Sequence, residues 1–412
     1  MTRNLPVDAG RIEADIEALA EITEPGRPWT RRAFSPLFLE GRSYVERRMR
    51  QAGLDTRIDP AGNLIGRRAG RVPGKGTLMI GSHSDTVPDG GRFDGIAGLI
   101  CALEVARALS DKGIELDHDL EIVDFLAEEV SIFGVSCIGS RGMTGQRPAE
   151  WLSRQADGRS LAAGISEVGG NAEVAEGRSD IKGFLELHIE QGTVLEREGT
   201  NIGIVTAISG ITRIEIIVEG RADHAGTTRM DARADALVAA AELVLDIRQA
   251  ALSLSQSPRH FTATVGEFGI EPNAANVVPS RARLLVDARA EFREDMDIFC
   301  EFLNETTERA AEKWGVRIAP PVRISDVPAT PCDEQVLSVL EQSADASGIS
   351  HRRMASGAGH DTMWMAKVAP AAMIFVPCKD GRSHSADEWA ETDDIALGAT
   401  VLFNAIQAMD KA

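Results

Sequence analysis

The sequence predicts an α/β protein in which one domain interrupts another. Strand-like and helix-like runs alternate through the first half of the chain. After Ser209 the texture changes to period-two strands in the order β-α-β-β-α-β, and the helix and strand texture returns from about Ser325. The boundaries read as residues 1–209 and 325–412 for an α/β sheet domain, and 210–324 for an inserted ferredoxin-like α+β domain.

Taken in order, "LEGRSYVERRMRQAG" predicts a helix and "TLMIGSH" a strand, because a short apolar run closing on polar residues suits a buried sheet position. "IAGLICALEVARALSDKG" is helical and "LEIVDFLAEE" is the next strand. In the insertion, "ITRIEIIVEG" alternates with period two, "ADALVAAAELVLDIRQAA" is a helix, and "FTATVGEF" and "RARLLVDARA" are strands. "EDMDIFCEFLNETTERAAEKWG" is a helix, and "VRIAPPVRI" reads as one closing strand. The first domain is then completed by the helix "CDEQVLSVLEQSADASG", the strand "AAMIFVP" and the helix "DDIALGATVLFNAIQAMD". There is no internal repeat and no low-complexity tract.

Composition narrows the function classes. The 412 residues are 43% hydrophobic, enough to bury a sizeable core, and 44 Lys+Arg against 63 Asp+Glu leave a net charge of −19. Such a charge repels phosphate backbones and anionic lipid, so neither nucleic acid nor membrane is an expected partner. The segment "MTRNLPVDAGRIEADIEALAEI" scatters charge where a signal peptide needs an apolar core, and no run is long enough to span a bilayer; a cytoplasmic location is expected. Cys101, Cys137, Cys300, Cys332 and Cys378 are widely spaced and never form a CxxC pair, so they read as small apolar residues rather than disulfides or zinc thiolates.

Chemistry concentrates at the predicted strand ends, where α/β sheets bind ligands. In "GSHSDTVPDGGRFDGIAG", His83 and Asp85 are two apart on a strand and share a face, so Asp85 is placed to accept the second ring N–H of a ligating His83. Asp94 follows in a Gly-rich loop, where it suits a bridge between two cations; alone, it would read as a helix N-cap. "FLAEEV" ends in adjacent acids, Glu128 and Glu129, which repel when buried unless cations neutralise them, or which have simply reached solvent. "FLELHIEQG" supplies His188 and Gln191, and "MIFVPCKDGRSHSADEW" supplies His384 with Glu388 four residues on. A lone histidine at such a place is more often structural, but four clusters in one domain supply His83, Asp94, Glu129, His188 and His384. These are N and O donors enough for two divalent metals such as zinc or manganese. Glu128 is left over as a base for water.

"HSDTV", "GGRFDG", "EE", "GSRGMTG", "ELHIEQG", "HAGTT", "PNAANVVP", "DAR", "SGAGHD" and "SHSADE" resemble, in order and approximate spacing from about residue 35 onward, the N-carbamoyl-L-amino acid hydrolase and allantoate amidohydrolase family. This family lies within the dinuclear-metal aminoacylase and carboxypeptidase superfamily. The resemblance implies a metallopeptidase-like catalytic domain, a lid domain that also dimerises, and a homodimer. It implies two divalent ions per subunit, zinc, manganese, cobalt or nickel, with His83 and His188 on the first, Glu129 and His384 on the second, and Asp94 bridging. Glu128 matches the catalytic base. The histidine of "HIEQG" separates this branch from relatives with an acid there, which points away from ordinary dipeptidases.

The resemblance further implies a carboxylate-bearing small substrate held by Gln191, His224, Asn276 and Arg289 with the loop Gly357, Ala358, Gly359 and His360. His224 would meet the developing oxyanion. An arginine fork suits a substrate carboxylate. The expected reaction is hydrolysis of the ureido C–N bond of an N-carbamoyl-L-amino acid to amino acid, carbon dioxide and ammonia, with allantoate or an N-acyl amino acid as alternative substrates. A catalytically silent module is disfavoured by the intact ligand set and base. Three stretches depart from the family pattern: "EEVSIFG", Arg229 in "HAGTTRM" where Pro is usual, and Cys378 and Arg382 in "PCKDGRSHS".

Overall fold

The structure is a computed structural model describing residues 5–173, 177–256 and 259–411. Its contacts divide the chain into a first unit, Met1–Thr206, Cys332–Arg353 and His360–Ala412, and a second, Ala207–Pro331 and Met354–Gly359.

The first unit is built on a mixed sheet. Its strands lie in the order Asp55–Ile58, Leu64–Arg68, Asp119–Phe125, Thr77–His83, Ile181–Ile189, Ala371–Val376 and Ile202–Ile208, the last continuing past Thr206. Asp119–Phe125, Thr77–His83, Ile181–Ile189 and Ala371–Val376 run parallel, with His83 opposite Phe125 and Phe375 opposite His188. Parallel neighbours in this register end together. The polar clusters that follow these strands therefore gather at one edge of the sheet.

Thr77–His83 is buried at every position, as a parallel strand covered on both faces must be. The helix Ile96–Asp111 packs on the sheet through Gly98, where a Cβ would fall 2.0 Å from the Leu187 carbonyl oxygen. Gly98→Ala is expected to push this helix off the strand that carries His188 and to cost about 1–3 kcal/mol, the usual penalty of overpacking. A denaturant midpoint unchanged from wild type would disprove that contact.

The second unit has its own core. The sheet order is Phe261–Glu271, Arg281–Ala290, Gly210–Glu219, then the short strands Arg317–Ile318 and Val322–Val327, all antiparallel. Helices Ala236–Leu254 and Arg293–Trp314 cover it, so Ile214, Ile216, Leu284 and Val286 pack with Leu243, Ile247, Phe299 and Leu303. Arg281–Ala290 buries every second residue, as the period-two pattern requires. Asp235 caps the first helix by accepting the amides of Leu237 and Val238.

Several elements differ from expectation for physical reasons. "VRIAPPVRI" is two strands, because Pro320 and Pro321 have no N–H to give a ladder. Residues 325–331 group with the second unit, since Ser325, Asp326 and Val327 pair with the strand Gly210–Glu219. Met354–Gly359 also groups there: the Ser356 carbonyl accepts from the Ser209 amide at 2.9 Å and the Gly357 carbonyl from Arg289 Nη1 at 2.7 Å. The strand "LEIVDFLAEE" stops at Phe125 because Ala127 turns into the left-handed region at φ 53°. Helix Ala9–Ala20, the antiparallel strands Asp55–Ile58 and Leu64–Arg68, and Ile202–Ile208 were not expected. The five cysteines are free, all but Cys300 buried. Among the described residues no helix is long and apolar enough to cross a membrane.

Candidate metal centre

His83 ends its strand with Nδ1 3.0 Å from the Asp85 carbonyl oxygen. With Nδ1 donating to that carbonyl, Nε2 is the nitrogen that offers a lone pair once the ring is neutral. That Nε2 is buried without a hydrogen-bond partner. The Asp85 carboxylate also lies at this ring nitrogen, with Oδ1 3.5 Å from Nδ1, behind the nearer backbone carbonyl. The same carboxylate accepts the amides of Glu128 at 3.2 Å and Glu129 at 3.3 Å, fixing the turn that presents both acids.

His188 repeats the arrangement, its Nδ1 3.0 Å from the Ile189 carbonyl and its Nε2 accepting the Gly95 amide at 3.1 Å. Asp94 lies between the histidines. Its Oδ1 is 3.2 Å from His188 Nε2 and 3.5 Å from His83 Nε2, while its Oδ2 is 3.4 Å from His384 Nε2. Glu129 Oε1 is 3.0 Å from the same His384 nitrogen. Two groups result, His83 with Asp94 and His188, and Asp94 with Glu129 and His384, the donor atoms of each lying within 4.8 Å of one another. Asp94 belongs to both and turns one oxygen to each.

Glu128 stands outside both groups, with Oε2 3.7 Å from His83 Nε2 and Oε1 3.6 Å from the Cys137 thiol. Burial, then the charges of Glu129, Asp361 and Asp85, holds its carboxyl well above the usual carboxylate range, against the pull of His83. Hydrogen bonds that the ring donates to Asp94 and Glu129 raise His384 to about 10. Burial alone would lower His83, but Asp85, Glu128 and Asp94 outweigh it and hold it well above an ordinary imidazole.

Backbone strain accompanies the site. Ala127, Cys137, Gln191 and His384 are non-glycine residues at φ 53°, 51°, 55° and 52°. Each costs on the order of 1 kcal/mol and persists where surrounding structure imposes it. At Cys137 the imposition is visible: its amide bonds to the Glu128 carbonyl at 2.9 Å, and the next two amides bond to Ala127 and Leu126.

The remaining expected residues fall into two sets. Gln191 donates to Asp94 Oδ2 at 2.7 Å, and His360 is buried with its ring centroid 4.6 Å from that of His188. In the second unit, His224 is exposed, its Nδ1 accepts the Gly226 amide at 3.0 Å, and Asn276 is tied to the same turn through its carbonyl and the Ala225 amide. Arg289 reaches the Gly357 carbonyl with Nη1 and Asp287 Oδ1 with Nε, at 2.7 and 2.9 Å. Gly357 packs so closely that a Cβ would lie 2.8 Å from His260 Nε2, Ala358 bonds through its amide to Ser356 Oγ at 3.1 Å, and Gly359 has open space around it.

Sequence reasoning missed Ser383 and Cys137 as neighbours of Asp94 and Glu128. It named Glu388 without a role. Glu388 is buried, and its Oε1 accepts the amides of Phe93 at 2.7 Å and Asp94 at 3.1 Å. Burial and then Asp94 push its carboxyl up to about 7. The one local signal for Ser383 was its position beside His384.

Cation binding fits these residues. The donors are imidazole nitrogens and carboxylate oxygens, the set that zinc and manganese accept. The carboxyl groups of Asp94, Glu128 and Glu129, the first two buried, crowd one place and need counter-charge, and His83 Nε2 is a buried nitrogen without a hydrogen-bond partner. Gly95 leaves room in front of it, since a Cβ there would fall 2.4 Å from that nitrogen.

Residues 79–408 match the family described as Peptidase family M20/M25/M40. The chain is 34% identical to an N-carbamoyl-L-amino-acid amidohydrolase of Paenarthrobacter aurescens, covering 98% of each sequence. It is 34% identical to an allantoate amidohydrolase of Bacillus subtilis over 90% of each. A crystal structure described as an amidase of the hydantoinase/carbamoylase family from Burkholderia multivorans superposes with a TM-score of 0.92 at 35% identity over 98% of both chains.

Proposed function

Because the chain belongs to peptidase family M20/M25/M40, we propose that it is a metal-dependent amidohydrolase cleaving the ureido C–N bond of an N-carbamoyl-L-amino acid to amino acid, carbon dioxide and ammonia. The observation that carries this reading is the pair of donor groups joined at Asp94, with Glu128 beside them and belonging to neither. His83, Asp94 and His188 would hold one divalent ion, and Asp94, Glu129 and His384 a second, either zinc, manganese, cobalt or nickel. Such ions supply Lewis acidity at the carbonyl and a more acidic water.

The chain's own residues do the rest. Glu128 takes a proton from the attacking water as oxygen adds to the ureido carbon. It then delivers that proton to the amino-acid nitrogen as the C–N bond breaks. The carbamic acid released decomposes to carbon dioxide and ammonia, which balances the reaction. Asp85 keeps Glu128 in place by accepting its amide.

The second unit contributes His224, Asn276 and Arg289 to substrate and acts as lid and dimerisation domain of a homodimer. Arg289 binds the substrate carboxylate as a fork, His224 donates to the oxyanion, and Gln191, Gly357, Ala358, Gly359 and His360 are further substrate-binding residues. We place the enzyme in the cytoplasm.

Allantoate is the second reading, favoured by the equal identity of the Bacillus subtilis relative. Both molecules present a ureido nitrogen on the carbon that bears a carboxylate. The zinc- or manganese-loaded protein is expected to release ammonia and free amine in a one-to-one ratio from a member of an N-carbamoyl amino acid panel. Turnover of allantoate alone would establish the second reading. Amine without ammonia from N-acetyl or N-formyl amino acids would overturn both in favour of an acyl amidase.

A further inference from the structure

Asp94 must keep one oxygen toward His83 and His188 and the other toward Glu129 and His384, and a carboxylate free to rotate about its Cβ–Cγ bond would lose that arrangement. Two donors meet Asp94 Oδ2, Gln191 Nε2 at 2.7 Å and Ser383 Oγ at 2.5 Å. Ser383 is itself held: its oxygen accepts from Gln191 Nε2 at 3.2 Å, and its one hydroxyl proton lies between Asp94 Oδ2 and Glu388 Oε2, the latter 2.9 Å away. Glu388 is in turn anchored by its other oxygen to the amides of Phe93 and Asp94. Gly91 makes this anchoring possible, because a Cβ there would fall 1.8 Å from Glu388 Cδ. The chain thus closes on itself, from the Asp94 amide through Glu388 and Ser383 back to the Asp94 carboxylate.

We propose that Ser383, braced by Glu388, is a positioning residue that sets the orientation of the Asp94 carboxylate and so the affinity of the Glu129 and His384 side of the centre for its ion. The proposal rests on the metal reading given above. Ser383 precedes His384, whose left-handed backbone turns the imidazole back toward Asp94, so the two neighbours reach the same carboxylate oxygen from one loop. Asp94 Oδ1, on the His83 and His188 side, has no contact with Ser383 in this network. The effect of removing the hydroxyl is therefore unequal between the two ions.

The test is a calorimetric titration of the chelator-treated full-length protein with zinc, and separately with manganese, on wild type, Ser383→Ala and Ser383→Thr. Wild type takes up two ions per chain. Ser383→Ala binds the first ion unchanged and the second about 10- to 100-fold more weakly, the usual cost of losing a partner of a ligand. Ser383→Thr, which keeps the hydroxyl, returns to within about threefold of wild type. Thermal midpoints measured on the same samples without metal show that the variants fold. Two ions bound by Ser383→Ala with wild-type affinities would overturn the positioning role and leave the metal reading intact. Equal weakening by Ala and Thr would overturn it as well. Failure of wild type to bind any ion would overturn both.

Discussion

Replacing Glu128 by Gln is expected to lower kcat by about 10²–10⁴-fold, the range attributed to loss of a general base, while two ions remain bound. The amide is nearly isosteric with the carboxylate, so the turn that Asp85 stabilises through the amides of Glu128 and Glu129 survives. What is lost is the capacity to take a proton. Since the interaction acts on the transition state, kcat should fall and KM change little. Steady-state kinetics with elemental analysis of the same preparation checks this. Near-normal turnover would remove Glu128 from the mechanism, and loss of metal in parallel would make it a ligand instead.

Replacing Asp94 by Ala is expected to reduce bound metal from two ions to fewer than one per chain and to bring activity to background. The other ligands differ in this respect. Glu129 and His384 meet only one of the two donor groups, so Glu129→Ala should lose one ion and retain the other. Proton linkage provides a second readout on the wild-type protein. His384, raised to about 10 by Asp94 and Glu129, carries a proton at neutral pH without metal, and ligation requires the neutral ring. Ion binding must expel that proton, so affinity should rise about tenfold per pH unit for each proton released, and weaken as pH falls. Metal titrations at three pH values measure the slope. A flat profile, or an Asp94→Ala protein with a full complement of ions, would refute the shared-carboxylate arrangement.

Parts of this centre were legible in the sequence because they are products of local pattern. Apolar runs ending in "GSHSD", "FLAEE", "FLELHIEQG" and "MIFVPCKDGRSHS" mark strands whose polar ends face one way. Asp85 shows the limit. Its spacing from His83 suggested a contact with the ring, but nothing local showed that the same carboxylate accepts the amides of Glu128 and Glu129. Likewise Pro320 and Pro321 were visible, but that they divide a strand depends on which ladder they would have joined.

By itself the sequence determined the alternation of strands and helices and which nitrogen- and oxygen-bearing side chains stand as candidates at the strand ends, because periodicity and side-chain chemistry are properties of neighbouring residues. Only the tertiary structure decided which oxygen of Asp94 faces which histidine, that Asp85 supports the paired acids as well as facing the ring of His83, and that Ser383 and Glu388 brace Asp94. Residues 94 and 383 are 289 positions apart. Hydrogen bonds between such residues depend on the register of parallel strands and on the closeness allowed by Gly91 and Gly98, which no local pattern of residues encodes.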